Sequence, residues 1–108
     1  MARSARRYDI YMPVRYNDGR PIEEEKYDRV EYRLLRHFGG LTSQERKFPF
    51  RGKWQEGTTV YSDEVIVLTV IDFRRGGSTR FIARLKADLL REFEQLEILI
   101  TEIGLRVH

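Results

Sequence analysis

The sequence predicts one α+β domain, and its patterning supports this in three ways. Two segments repeat apolar residues at spacings of three and four, the mark of a helix with one buried stripe. Four others alternate or run apolar over a strand's length. Glycine pairs at Gly39-Gly40 and Gly76-Gly77 punctuate them, so that the order reads β-α-β-β-α-β.

Residues 1–7 are small and basic and read as a flexible arm, with the domain proper spanning 8–108. From Tyr8 to Tyr16 apolar residues fall on alternate positions, which predicts a strand. Asn17-Asp18-Gly19-Arg20-Pro21 is a turn by composition. Glu23-Glu24-Glu25 opens a helix whose stripe is Tyr27, Val30, Leu34 and Phe38, and Gly39-Gly40 stops it. A second strand covers Lys47 to Trp54, with Phe48, Phe50, Gly52 and Trp54 on one face, and Pro49 places it at a sheet edge. The third runs from Glu64 to Phe73, apolar on both faces through Val65–Ile71, and belongs at the centre. A second helix follows Ser78 from Thr79 to Phe93, with the stripe Ile82, Leu85, Leu89 and Phe93. Leu96 to Ile103 is the last strand.

With right-handed crossovers this order closes as a ferredoxin-like β-α-β-β-α-β sandwich. A four-stranded antiparallel sheet, in spatial order 4-1-3-2, would carry both helices on one face. Pro13 then sits in a central strand, where a bulge or a broken ladder is expected. The uncovered face includes Tyr11, Phe73, Leu99 and several of Ile66, Leu68 and Val70, too apolar to leave in water. A homodimer, or docking onto a larger protein partner, through that face is the expectation.

The chain has 108 residues, 41% of them hydrophobic, and no cysteine, which excludes disulfides, thiolate metal sites and cysteine nucleophiles. No stretch approaches the ~18 apolar residues of a membrane span, so a cytoplasmic protein without a membrane partner is expected. Net charge is only +3, yet every basic residue except Lys26, Lys47, Lys53 and Lys86 is arginine, whose planar fork suits phosphate.

Laid on the fold, the charges separate into two poles. Asp18, Glu23, Glu24, Glu25, Glu56, Glu92 and Glu94 gather at one end of the sheet. Arg3, Arg6, Arg7, Arg33, Arg36, Arg46, Lys47, Arg74, Arg75 and Arg80 gather at the other. The second helix carries its charges against its dipole, with arginines at its start and glutamates at its end, at a cost of some tenths to about 1 kcal/mol each. An anion held by the free backbone N–H groups of Gly76-Gly77-Ser78 would relieve that conflict, so RNA or DNA is a candidate partner of the basic pole.

Candidate chemistry is sparse. Asp9 and Asp72 fall at the basic ends of the two central strands, where a carboxylate pair could hold Mg²⁺ against a phosphodiester. Otherwise no metal or cofactor is expected. His37 reads as a cation at a helix end, and His108 is terminal. Trp54 and Tyr61, with Asn17 and Asp18 near them, mark a possible pocket or contact at the central hairpin. No serine has a base within sequence reach for a hydrolase triad.

The run Tyr8-Asp-Ile-Tyr-Met-Pro-Val-Arg-Tyr-Asn-Asp-Gly-Arg-Pro-Ile22 resembles a family of small uncharacterised prokaryotic proteins. So do Phe38-Gly-Gly-Leu-Thr42, Gly52-Lys-Trp54 and Tyr61-Ser-Asp-Glu64. That resemblance covers most of the chain and implies no activity. In size, strand order and a first-strand aspartate the chain is also similar to the CRISPR-associated Cas2 proteins, which implies a metal-dependent nuclease. Asp9 stands at the start of its strand, whereas that family's aspartate lies towards the end. Small dimeric α+β-barrel enzymes, cofactor-free oxygenases among them, share the layout. A binding or assembly module leads these readings, followed by a nucleic-acid-binding protein and then an enzyme.

Overall fold

From Tyr8 to Pro13 and from Val65 to Asp72, on two neighbouring strands, the even-numbered residues are buried and the odd-numbered ones are not, and the helices lie over the even side. The computed structural model describes residues 1–108. In chain order it contains β1 (Arg3–Pro13), α1 (Glu24–Phe38), β2 (Thr42–Ser43), β3 (Phe50–Glu56), β4 (Thr59–Asp72), α2 (Thr79–Glu92) and β5 (Ile100–Val107). The strands form one antiparallel sheet in which β5 flanks β1 and β1 flanks β4. Both β2 and β3 pair with the other edge of β4.

Tyr8, Ile10 and Met12 of β1 face Val70, Leu68 and Ile66 of β4, and all six are at most 1% exposed. Tyr27, Val30 and Leu34 of α1 and Leu85 and Leu89 of α2 join them in one core, closed at one end by Phe93. The Phe93 ring meets Tyr27 edge-on at 5.6 Å. Each of these side chains contributes about 1.5–3 kcal/mol by leaving water. Helix α1 ends as its sequence requires: Gly39 turns left-handed at φ 84° and its N–H reaches the Leu35 carbonyl at 2.9 Å.

Several boundaries differ from expectation. Residues 3–7 form no loose arm; Arg3 and Arg6 pair with Val107 and Gly104 of β5, so the strand starts five residues before Tyr8. The sheet has five strands rather than four, because a two-residue strand, β2, precedes the expected Lys47–Trp54 strand, which itself runs from Phe50 to Glu56 as β3. In the gap between them a side chain completes the ladder: Gln44 accepts the Val67 N–H through Oε1 at 3.1 Å and donates to the Phe48 carbonyl at 2.7 Å. The last strand starts four residues later than expected, at Ile100 rather than Leu96. Ile66, Leu68 and Val70 lie beneath the helices, so the open face carries Val65, Val67, Thr69 and Ile71 instead.

Pro13 neither bulges the sheet nor breaks it, and pairing runs without a skip from Arg6 opposite Asp72 to Pro13 opposite Val65. The Tyr11 N–H points toward the β5 side, donating to the Leu99 carbonyl at 3.0 Å. By alternation the donor that proline lacks would also point there, beyond the start of β5. No helix is long and apolar enough to cross a membrane.

The turn into α2 is packed directly onto β1. Gly77 has φ +77°, and a Cβ there would come within 2.6 Å of the Tyr8 hydroxyl and 2.7 Å of Arg6 Cδ. Gly76 also has positive φ, but nothing lies within 4 Å of its missing Cβ. Gly76→Ala should therefore lose only the left-handed backbone preference, about 1 kcal/mol. Gly77→Ala adds a steric clash and should lose about 2–4 kcal/mol. Urea unfolding of both variants checks this, and equal losses would show that the contact with Tyr8 costs nothing.

Candidate functional site

Strands β3 and β4 run past the helices as a two-stranded ribbon, closed by a two-residue turn at Gly57-Thr58 in which Gly57 supplies the positive φ of 62°. Residues 59–64 are exposed on both faces of the ribbon. Trp54 stacks on Tyr61 across it, with ring centroids 5.3 Å apart and planes 17° from parallel. Where the ribbon joins the sheet, a cleft of about 690 Å³ opens on the helix-free face. Its floor is Tyr11, Pro13 and Val65. The ribbon supplies Phe50 and Trp54 on one side, and the loop before β5 supplies Leu96 and Leu99 on the other. Arg51, Lys53, Asp63, Glu64 and Glu97 stand around it.

Of the residues the sequence marked here, Trp54 and Asn17 line the cleft, and Tyr61 backs Trp54. Asp18 does not line it; the Arg20 backbone N–H and then the Arg20 guanidinium, at 2.6 Å, hold its carboxylate and keep its pKa low. Phe50 and Leu96, 59% and 94% exposed, were not singled out as a site. The sequence places Phe50 on a strand face with Trp54, and Leu96 at the start of the last strand; their apolar character was the only signal. The cleft offers stacking and apolar contact, with its carboxylates and cations set around the apolar floor.

The basic pole forms only in part. Arg6, Arg74 and Arg75 share a shallow groove with Gly76, and Arg80 is exposed at the start of α2. Arg3 lies 4.0 Å over the Phe73 ring, Arg7 pairs with Asp9 at 3.2 Å on the open face, and Arg33 pairs with Asp88 at 2.8 Å. Arg36 reaches toward the Tyr32 ring at 5.9 Å. Arg46 and Lys47 lie elsewhere. Arg46 grips Glu24 and Glu31 on α1 and sits 4.4 Å over the Tyr27 ring, while Lys47 lines a groove at the base of the ribbon with Arg15 and Arg51.

Two of the three backbone donors expected to be free are engaged. Gly77 N–H goes to the Arg74 carbonyl at 3.0 Å, and Ser78 N–H to the Tyr8 hydroxyl at 2.9 Å. The dipole conflict of α2 is answered from within the chain. Lys26 donates to the Glu92 carbonyl at 2.6 Å at the helix's negative end. At its positive end the buried carboxylate of Asp72 lies one hydrogen bond away, through Ser78.

Asp72 is 1% exposed and accepts from Ser78 Oγ at 2.6 Å, from the Arg74 N–H at 3.0 Å and from Arg74 Nη1 at 3.2 Å. Burial raises its pKa, but the bonds from Ser78 and Arg74 outweigh burial and hold the carboxyl below the usual range. Asp9 faces Thr69, whose hydroxyl donates to it at 2.6 Å, whereas Asp72 faces Arg6. Odd and even positions lie on opposite sides of a sheet. The two carboxylates therefore cannot share a metal ion, and the expected Mg²⁺ pair does not form. No group of three or more His, Asp and Glu side chains is placed to hold a metal.

His37 is not a cation capping its own helix. Its ring stacks on Phe81 at 3.7 Å, and Nε2 lies 3.0 Å from Ser78 Oγ. Since the Ser78 proton goes to Asp72, Nε2 is the donor. Burial first, then the Arg74 guanidinium, holds His37 below the ordinary histidine value. The unfolded chain therefore binds this proton more tightly, and stability should fall as pH drops through about 6.5. Asp72 acts lower, below about pH 4, so the two effects separate. The denaturant midpoint should decrease from about pH 7.5 to about pH 5.5, and His37→Gln should flatten that slope. An unchanged slope in the variant would assign the titration to another group.

No family model matches the chain, and no curated protein matches it. Among solved structures, a phage SAM lyase in complex with S-methyl-5′-thioadenosine superimposes with a TM-score of 0.60. The match covers 95% of this chain and 88% of that one at 12% identity, so the likeness is one of fold.

Proposed function

We propose that this chain is a ferredoxin-like assembly module that works as a homo-oligomer, burying its open sheet face against a second copy of itself. The order β5-β1-β4 followed by β2 and β3 supports the fold name, since it is the 4-1-3-2 order with its edge strand in two pieces. The observation that carries the functional reading is the open face itself. Leu99, Ile103 and Phe50 are each more than half exposed there, Trp54 nearly so, around Tyr11, Val65, Val67 and Ile71. A contiguous apolar surface of this kind marks an interaction site.

A second copy is the occupant that the charges favour. Where β1 and β4 pair, from Arg6–Asp72 to Pro13–Val65, the face carries one guanidinium and one carboxylate, Arg7 and Asp9, and these pair with each other, while Arg3 beyond that stretch lies over the Phe73 ring. A neutral apolar face of this kind selects no charged partner, and it suits a copy of itself. The ribbon adds to the case, because two strands exposed on both faces are marginal alone and gain by being covered.

Sedimentation at about 10 μM should give a mass above the 12.9 kDa of one chain. Leu99→Lys, at an exposed position, should weaken association by at least about tenfold while leaving the fold intact. Trp54 emission should shift to the red as the variant dissociates. A clean monomer, or unchanged association in the variant, removes this reading.

A further inference from the structure

Strand β5 ends the sheet, and its outer edge is bare along Ile100–Val107. Natural proteins blunt such edges with prolines, lysines or short strands. This one is eight residues long and carries only Glu102 and Arg106 as charges.

Gly104 in its middle has no reason to be glycine within its own chain. It is absent from the positive-φ residues, and a Cβ there would have nothing within 4 Å. A glycine inside a strand costs about 0.5–1 kcal/mol and often marks where another backbone comes close.

The pattern around Gly104 is self-complementary. Tyr11 N–H bonds the Leu99 carbonyl, so by alternation the odd residues of β5 turn their backbone groups toward β1. Ile100, Glu102, Gly104 and Arg106 therefore present their N–H and C=O groups outward.

We propose that β5 pairs antiparallel with β5 of a second copy, about a two-fold axis through Gly104, joining the two sheets edge to edge. In that register Gly104 meets the partner's Gly104, each bonding the other's backbone. Glu102 meets the partner's Arg106, and Arg106 meets the partner's Glu102, so opposite charges face each other twice. On the open face Ile103, 53% exposed, meets the partner's Leu105 at a close, non-hydrogen-bonded pair. Glu102 then lies between the partner's Arg106 and its own Arg6, with which it already pairs. A second copy is the fitting occupant because one short segment supplies both halves of every pair, as an isologous contact demands. This contact uses the sheet's edge rather than its face and does not depend on the face being covered.

The chain lacks cysteine, so cross-linking reads the register directly. Ile103→Cys mixed with Leu105→Cys should form a disulfide at least about tenfold faster than either variant alone, since only the mixture brings the two Cα atoms within bridging range. The preference should persist when both chains also carry Leu99→Lys, which separates the edge from the face. Arg106→Glu and Glu102→Arg should each weaken self-association through the edge by about tenfold, and mixing the two should restore it as a heterodimer. Equal cross-linking in all samples, or singly charged variants that associate like the parent, overturns the proposal.

Discussion

An unbroken register between β1 and β4, from Arg6 opposite Asp72 to Pro13 opposite Val65, decides which side of each central residue meets water. A slip of one position would exchange Ile10 and Met12 for Asp9 and Tyr11 beneath the helices. The core, the open face and the cleft all follow from that parity. It also puts Asp9 among threonine and arginine on the open side, and Asp72 under the turn into α2. Two carboxylates that look alike in the sequence thus become an open-face pair and a buried anchor.

The parts of this arrangement readable in the sequence are those where burial has a period. Both helix stripes, the Gly39 stop and the strand order show through because 3.6-residue spacing and left-handed glycine leave few alternatives. The parity of β4 did not show, since Val65–Ile71 is apolar on both sides and offers no contrast between faces. The ribbon was hidden for the opposite reason: residues 59–64 are exposed throughout and carry no burial period at all. Arg46 follows the expected end of α1 in sequence, yet the loop carries it back to the acids at the other end, a long-range pairing that composition does not encode. Of the cleft, Trp54 and Asn17 were visible as residue types, while Phe50 and Leu96 needed the fold to bring them together.

Many charges on this molecule are paired locally. Near the turn into α2, Arg3 rests on Phe73, and Arg74 on Asp72 and the His37 carbonyl. Lys26 meets the last turn of α2, so a helix whose own charges oppose its dipole is steadied by residues outside it. Beside these local pairings, the uncovered side and margin of the sheet stand out as apolar surface.

The gap between β2 and β3 has a consequence for how this chain can change. At Val67 the sheet's outer bond is made by the amide of Gln44, so the stretch from residue 45 to residue 49 lies outside the ladder and helps to hold no strand in register. Extra residues there lengthen an existing surface excursion, at an entropic cost of about 0.6 kcal/mol per doubling of its length. Beside the ribbon and its cleft, this is the place where descendants of the fold could acquire new surface without disturbing the core.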